Sequence, residues 1–149
     1  MFEDVRDLYN ATILARGRKP LHMRRLGEFD GTARGDNPMC GDRVQVWVRR
    51  DGAGAVAEAG FEARGCEISK ASADLMVEAV QGHGAAQIGQ MFAQFTTMAR
   101  TGACPDCAAF TALRPLASVH EYPSRVKCAT LPWHALMAAL HGQEQASSE

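Results

Sequence analysis

The chain reads as an α+β domain, a small antiparallel three-stranded sheet with helices packed on one face. Two stretches of period-two alternation, "VQVWVRR" (44–50) and "AVAEAGFEARG" (55–65), are joined by the turn sequence "DGAG" and predict a hairpin. Directly after Cys66 the apolar spacing becomes helical, with Ile68, Ala71, Leu75, Met76, Ala79 and Val80 on one face. At 149 residues without internal repeats, the chain is most simply one domain over residues 1–142, followed by a flexible polar tail at 143–149.

The elements follow in order. Residues 3–15 read as a first helix with an imperfect apolar stripe that includes Val5, Leu8 and Ile13. Gly17 can cap it, and Pro20 cannot continue it. "RRLGEFDGTARGDNP" is rich in turn formers and predicts a short strand at best, then a loop. After the hairpin and the helix from Cys66, "QGHG" is a stop, and a second helix runs over 85–98 with Ile88, Met91, Phe92 and Phe95 inward. Residues 100–125 are turn-rich, with a short helix near 106–113. The last helix begins near Pro132, a residue tolerated in a first turn, and buries Trp133, Leu136, Met137 and Leu140.

Sixteen basic against seventeen acidic residues give a net charge of −1, which offers neither nucleic acid nor membrane a bulk electrostatic attraction. The basic run Arg16, Arg18, Lys19, Arg24 and Arg25 reads as a solvated surface or as a docking patch for an acidic partner. "MFEDVRDLYN" has no basic or apolar leader region, and no apolar run is long enough to span a bilayer. A cytoplasmic setting is expected, where thiols stay reduced. Five cysteines there point to metal or thiol chemistry more than to a disulfide framework.

Three of these cysteines fall at element junctions. Cys40 precedes the first hairpin strand, Cys66 opens a helix in "RGCEISKAS", and Cys128 opens the last helix in "RVKCATLPWHAL". Thiols at helix starts feel the positive end of the helix dipole, which favours the thiolate. Gly41 and Gly65 let the backbone approach closely beside two of the thiols. If the sheet brings the Cys40 loop to the two helix starts, three sulfurs and the Asp42 carboxylate converge in a set suited to Zn²⁺. Four anionic ligands would leave that site at −2, which Arg125 and Lys127 are placed to offset. The gaps of 26 and 62 residues match no local zinc-finger spacing. On the residues alone, the cysteines read either as small buried hydrophobes or as such a metal centre.

Together, "NPMCGD", "ARGCEISKASADLM" and "RVKCATLPWHAL" resemble the U-type iron–sulfur assembly family (IscU, the NifU N-terminal domain and SufU) over residues 3–142. The resemblance implies a SufE/NifU-like α+β fold. It also implies a site of Cys40, Asp42, Cys66 and Cys128 that binds zinc or hosts a nascent [2Fe–2S] cluster or iron. Lys127 stands where scaffold members resemble "HC", "EYPSR" lacks an LPPVK-like chaperone segment, and the stretch from Cys66 to Cys128 is extended. These features are similar to the SufU-like branch, which implies a zinc-dependent sulfurtransferase. Its partner would be a PLP-dependent cysteine desulfurase, with a downstream scaffold or sulfur acceptor. A histidine of that enzyme would replace Cys40 at the metal, and the freed Cys40 thiolate would attack the outer persulfide sulfur. Cys40, on a loop, is the ligand expected to move. "CPDC" (Cys104, Cys107) lies in the extension, outside the family pattern, and reads as ordinary thiols, a labile disulfide, or a metal or sulfur relay. His134 reads as a capping or surface histidine near the start of the last helix.

Overall fold

The computed structural model describes residues 10–38, 41–103 and 108–147. In chain order they form α1 (Ala11–Arg18), β1 (Gly31–Asn37), β2 (Asp42–Arg50), β3 (Val56–Arg64), α2 (Glu67–Val80) and α3 (Ala85–Thr101). A run of tight 3-10 turns (Ala108–Glu121), α4 (Pro123–Leu140) and β4 (Gln145–Ser147) complete the order. The sheet has the order β3-β2-β1-β4, with α2 and α4 packed on the core face.

The sheet therefore has four strands where three were expected. Gln145, Ala146 and Ser147, read as tail, pair in parallel with Arg34, Gly35 and Asp36. The Arg34 N–H also donates to the Glu144 carbonyl at 2.9 Å. Backbone groups at a sheet edge recruit whatever strand reaches them, and polar side chains do not prevent it.

Strand β1 lies in the stretch whose composition predicted mostly loop. Its glycines serve packing instead of turning. A Cβ on Gly31 would lie 2.3 Å from the Ala139 carbonyl oxygen, and one on Gly35 would lie 3.0 Å from Leu131 Cδ1. Small residues on this strand let α4 settle against the sheet. On the neighbouring strands Val44, Val46, Val48, Ala59 and Phe61 fill the same core face.

Helix α4 starts at Pro123, not near Pro132, which lies in its interior. Pro132 has no N–H to offer the Cys128 carbonyl four residues back. The helix survives because its apolar side chains are buried: Trp133 is fully covered, stacked on Phe95 with centroids 5.1 Å apart. Tertiary packing overrides the local penalty. Cys128 is thus one and a half turns inside a helix, so the expected helix-start effect does not act on it. His134 is likewise mid-helix, edge-on to Phe92, where burial and nearby Arg100 lower its pKa.

Helix α1 begins at Ala11, because Asn10 Oδ1 accepts from the Ile13 N–H at 3.1 Å; residues 3–9 of the expected first helix lie outside the described residues. Gly17 is no cap. It sits inside α1 where a Cβ would meet Glu67 at 2.6 Å, and so allows α1 to cross α2 closely. Asp74, fully buried on α2, accepts from Arg16 at 2.6 Å and from the His22 N–H at 2.7 Å. Arg16 also reaches Glu78. This cluster ties α1 and the following loop to the helix that carries Cys66. The short helix expected near 106–113 is instead the longer 3-10 run, and Cys104 and Cys107 lie outside the described residues. Among the described residues, no helix is long and apolar enough to cross a membrane.

Candidate metal centre

Three elements meet where β3 gives way to α2. Asp42 is the first residue of β2, Cys66 is the N-cap of α2, and Cys128 faces them from α4. The Cys66 sulfur takes the place of a capping oxygen, accepting from the Ser69 N–H at 3.5 Å. Gly65 turns the chain between strand and helix with φ of 125°. A Cβ there would lie 2.0 Å from Asp42 Oδ1, so only glycine allows the carboxylate to reach the turn. Asp42 Oδ1 then accepts from the Cys66 N–H at 2.8 Å.

The ligand atoms of Asp42, Cys66 and Cys128 all lie within 4.8 Å of one another. Asp42 and Cys128 are buried, whereas Cys66 is half-buried. Cys66 Sγ is 3.5 Å from Asp42 Oδ2. That separation is the S···O edge of a tetrahedron with Zn–S bonds of ~2.3 Å and Zn–O bonds of ~2.0–2.2 Å. Two thiols and a buried carboxylate suit a soft divalent cation such as zinc.

The two thiols share their protons unequally. Cys128 donates toward Cys66, which pulls the Cys66 pKa down to about 6; burial opposes this, and the Ser69 N–H adds to it. The same contact holds the Cys128 proton in place and, with burial and the Asp42 carboxylate, pushes its pKa up. Of the pair, Cys66 is the thiol that ionises more readily. A metal ion would have to displace the proton from Cys128.

Ser69, Ser72 and Asn37 surround these groups. Ser69 Oγ lies 3.0 Å from Asp42 Oδ2 and 3.1 Å from the Cys128 carbonyl, the one that Pro132 leaves without its helical donor. Ser72 Oγ donates to the Ala129 carbonyl at 2.5 Å. Asn37, fully buried at the end of β1, places Nδ2 3.8 Å from Cys128 Sγ. Sequence reasoning missed all three. A serine three residues after an N-cap was a visible signal for Ser69; the role of Asn37 depends on the register of β1 and had none.

Of the expected site residues, the structure brings together Asp42, Cys66 and Cys128. Cys40 lies outside the described residues, which resume at Gly41, whose N–H closes a turn onto the Asn37 carbonyl at 2.9 Å. Arg125 and Lys127 are half-buried on the opening turns of α4, three and one residues before Cys128. Lys127 lines a cavity of about 800 Å³ between α3 and α4.

A family model described as the NifU-like N-terminal domain matches residues 8–129. The zinc-dependent sulfurtransferase SufU of Bacillus subtilis is 36% identical over 109 residues, covering 73% of this chain and 74% of that one. The iron–sulfur cluster assembly scaffold protein IscU of Streptococcus pyogenes is 31% identical over 135 residues, covering 89% and 82%. Among solved structures, a candidate iron–sulfur cluster assembly scaffold protein for the SUF system of Fervidobacterium islandicum superposes with a TM-score of 0.83 at 27% identity, covering 92% of this chain and 99% of that one.

Proposed function

Because the chain belongs to the NifU-like N-terminal domain family, we propose that it serves iron–sulfur cluster assembly as a zinc-dependent sulfurtransferase, taking persulfide sulfur from a cysteine desulfurase onto Cys40. The observation that carries this reading is the convergence of Asp42, Cys66 and Cys128 within 4.8 Å. Cys40 stands two residues before Asp42 and is the fourth ligand in this proposal. Zinc held there would supply Lewis acidity that keeps thiols ionised at neutral pH.

The chain's own residues have separable tasks. Cys66 and Cys128 anchor the site from two helices, and Ser69 orients the Asp42 carboxylate. Gly41, between Cys40 and Asp42 in sequence, has φ of 71°, a left-handed conformation that glycine adopts without strain. In the transfer step the Cys40 thiolate attacks the outer sulfur of the donor's persulfide. A new S–S bond forms on Cys40 as the donor's S–S bond breaks, and the donor cysteine leaves as a thiolate. Arg125 and Lys127 offset the negative ligand set. A cytoplasmic setting, where thiols stay reduced, suits such thiol chemistry.

The test is desulfurase turnover. Adding the zinc-loaded chain to a cysteine desulfurase should raise sulfide release manyfold, and Cys40→Ala should remove the effect; no stimulation by the wild type overturns the reading. The similarity to scaffold proteins named IscU favours a second reading, a platform for a nascent [2Fe–2S] cluster passed to acceptor proteins. Purified protein that carries iron and absorbs visible light would select it, whereas colourless protein with one zinc would select the first.

A further inference from the structure

The face of the sheet opposite α2 and α4 carries a charge pattern that the fold does not explain. In the antiparallel register of β2 and β3, Arg43 stands directly across from Arg64. Like charges in that position destabilise a sheet. Asp36, across from Arg43 on β1, is already claimed by Arg43 at 2.8 Å and Arg34 at 3.3 Å. Arg64 is exposed, with no ion pair among the described residues.

These arginines border two hollows. The larger, about 740 Å³, lies on the open face and is lined by four arginines (Arg25, Arg34, Arg43, Arg64) against one glutamate, Glu62. Its floor includes Trp47, with the Arg25 guanidinium 5.3 Å above the ring, and its rim includes Met23 and Phe29, 38% and 46% exposed. The smaller, about 520 Å³, opens beside Asp42 and Gly65 at the mouth of the metal centre. Arg43 and Arg64 line both. The open-face hollow thus carries an excess of positive charge, while the one beside the metal centre is balanced, Asp36 and Asp42 against Arg43 and Arg64.

Arginine beside exposed aromatic and methionine side chains is the composition of a protein interface. We propose that this face docks the sulfur donor, a cysteine desulfurase, through an acidic segment of that enzyme seated on Arg43, Arg64 and Arg34. The assignment of the donor rests on the function proposed above. Two features select this occupant: the excess of arginine on the open face calls for carboxylates, and Arg43 and Arg64 make that face continuous with the hollow beside Asp42 at the metal centre. The docked carboxylates relieve the repulsion between Arg43 and Arg64. Outside the complex, the same field steers the encounter.

The experiment measures association of the full, zinc-loaded chain with the cysteine desulfurase of the same organism by stopped flow, across a range of salt concentrations. The double reversal Arg43→Glu with Arg64→Glu should slow association about tenfold or more at low salt, and the difference should close at high salt. Zinc content should stay at the wild-type value, which separates slower association from damage to the metal centre. Arg100→Glu, a single reversal on α3 away from the sheet, should leave association unchanged. If the double reversal loses zinc, Arg64→Gln carries the test, with a slowing of about threefold and a reduced salt slope. Wild-type stimulation together with association that ignores these substitutions overturns the docking face alone. A wild-type chain that neither binds nor stimulates the desulfurase overturns both proposals.

Discussion

At Gly65 a single hydrogen in place of a methyl decides whether the metal centre forms. Gly65→Ala would place a Cβ on the Asp42 carboxylate and strain a φ of 125°. It should cost about 1–3 kcal/mol in stability and displace the carboxylate. Denaturant titration and zinc analysis of the purified variant check both outcomes. Ser69→Ala removes the hydroxyl that touches Asp42 and the Cys128 carbonyl while leaving every ligand residue unchanged in identity. Zinc affinity should fall about 10–100-fold, read by competition with a chromophoric chelator. At this scale the sequence announced the ligands, because Cys, Gly and Asp at strand and helix boundaries are chemically conspicuous. It did not announce Ser69 or Asn37, whose parts are set by partners 59 and 91 residues away along the chain.

Among the elements, the hairpin and α2 were legible because each follows one apolar period from end to end. Strand β1 and the start of α4 were not. In β1 the glycines answer to the close approach of a helix, and in α4 a proline sits where burial outweighs its local penalty; neither cause is visible in a short window. Gly31→Ala tests the first cause. Its methyl would meet the Ala139 carbonyl, and overpacking of this kind should cost about 1–3 kcal/mol, measured as a lower melting temperature. The Arg16–Glu78–Asp74 cluster makes a separate prediction about pH. Arg16, then His22, hold the Glu78 carboxyl below the usual glutamate range. A depressed folded-state pKa contributes stability that is complete above the unfolded value and is lost as pH falls through the folded one. The wild-type denaturant midpoint should therefore drop on acidification below the ordinary glutamate range, and Glu78→Gln should flatten that part of the profile.

In the whole molecule the apolar core reaches well beyond the metal ligands, although Cys128 belongs to it and Cys66 packs against it. Trp133, Phe61, Phe95, Ile68 and Met76 are fully buried and form one apolar cluster that spans sheet and helices. Chelation should lower the melting temperature without unfolding the chain, so far-UV circular dichroism should stay native after zinc removal. Maleimide should then label half-buried Cys66, with its depressed pKa, before buried Cys128. Simultaneous labelling of both, together with loss of the helical signal, would show that the metal holds the fold. The α+β class was readable from periodicity alone. The fourth strand was not, because β4 is bound through backbone groups that composition does not report.

Pro132 has one more consequence, which concerns how the site tolerates mutation. The carbonyls of Cys128 and Ala129 are grasped by the hydroxyls of Ser69 and Ser72. Helix α4 is therefore aligned on α2 by main-chain oxygens, which every amino acid possesses. Cys128→Ser or Cys128→Ala deletes the ligand while keeping the clasp, so the helices stay in register around an altered centre. The alignment is written into the serines of one helix and the backbone of the other, and the ligand position between them is free to change without unseating either.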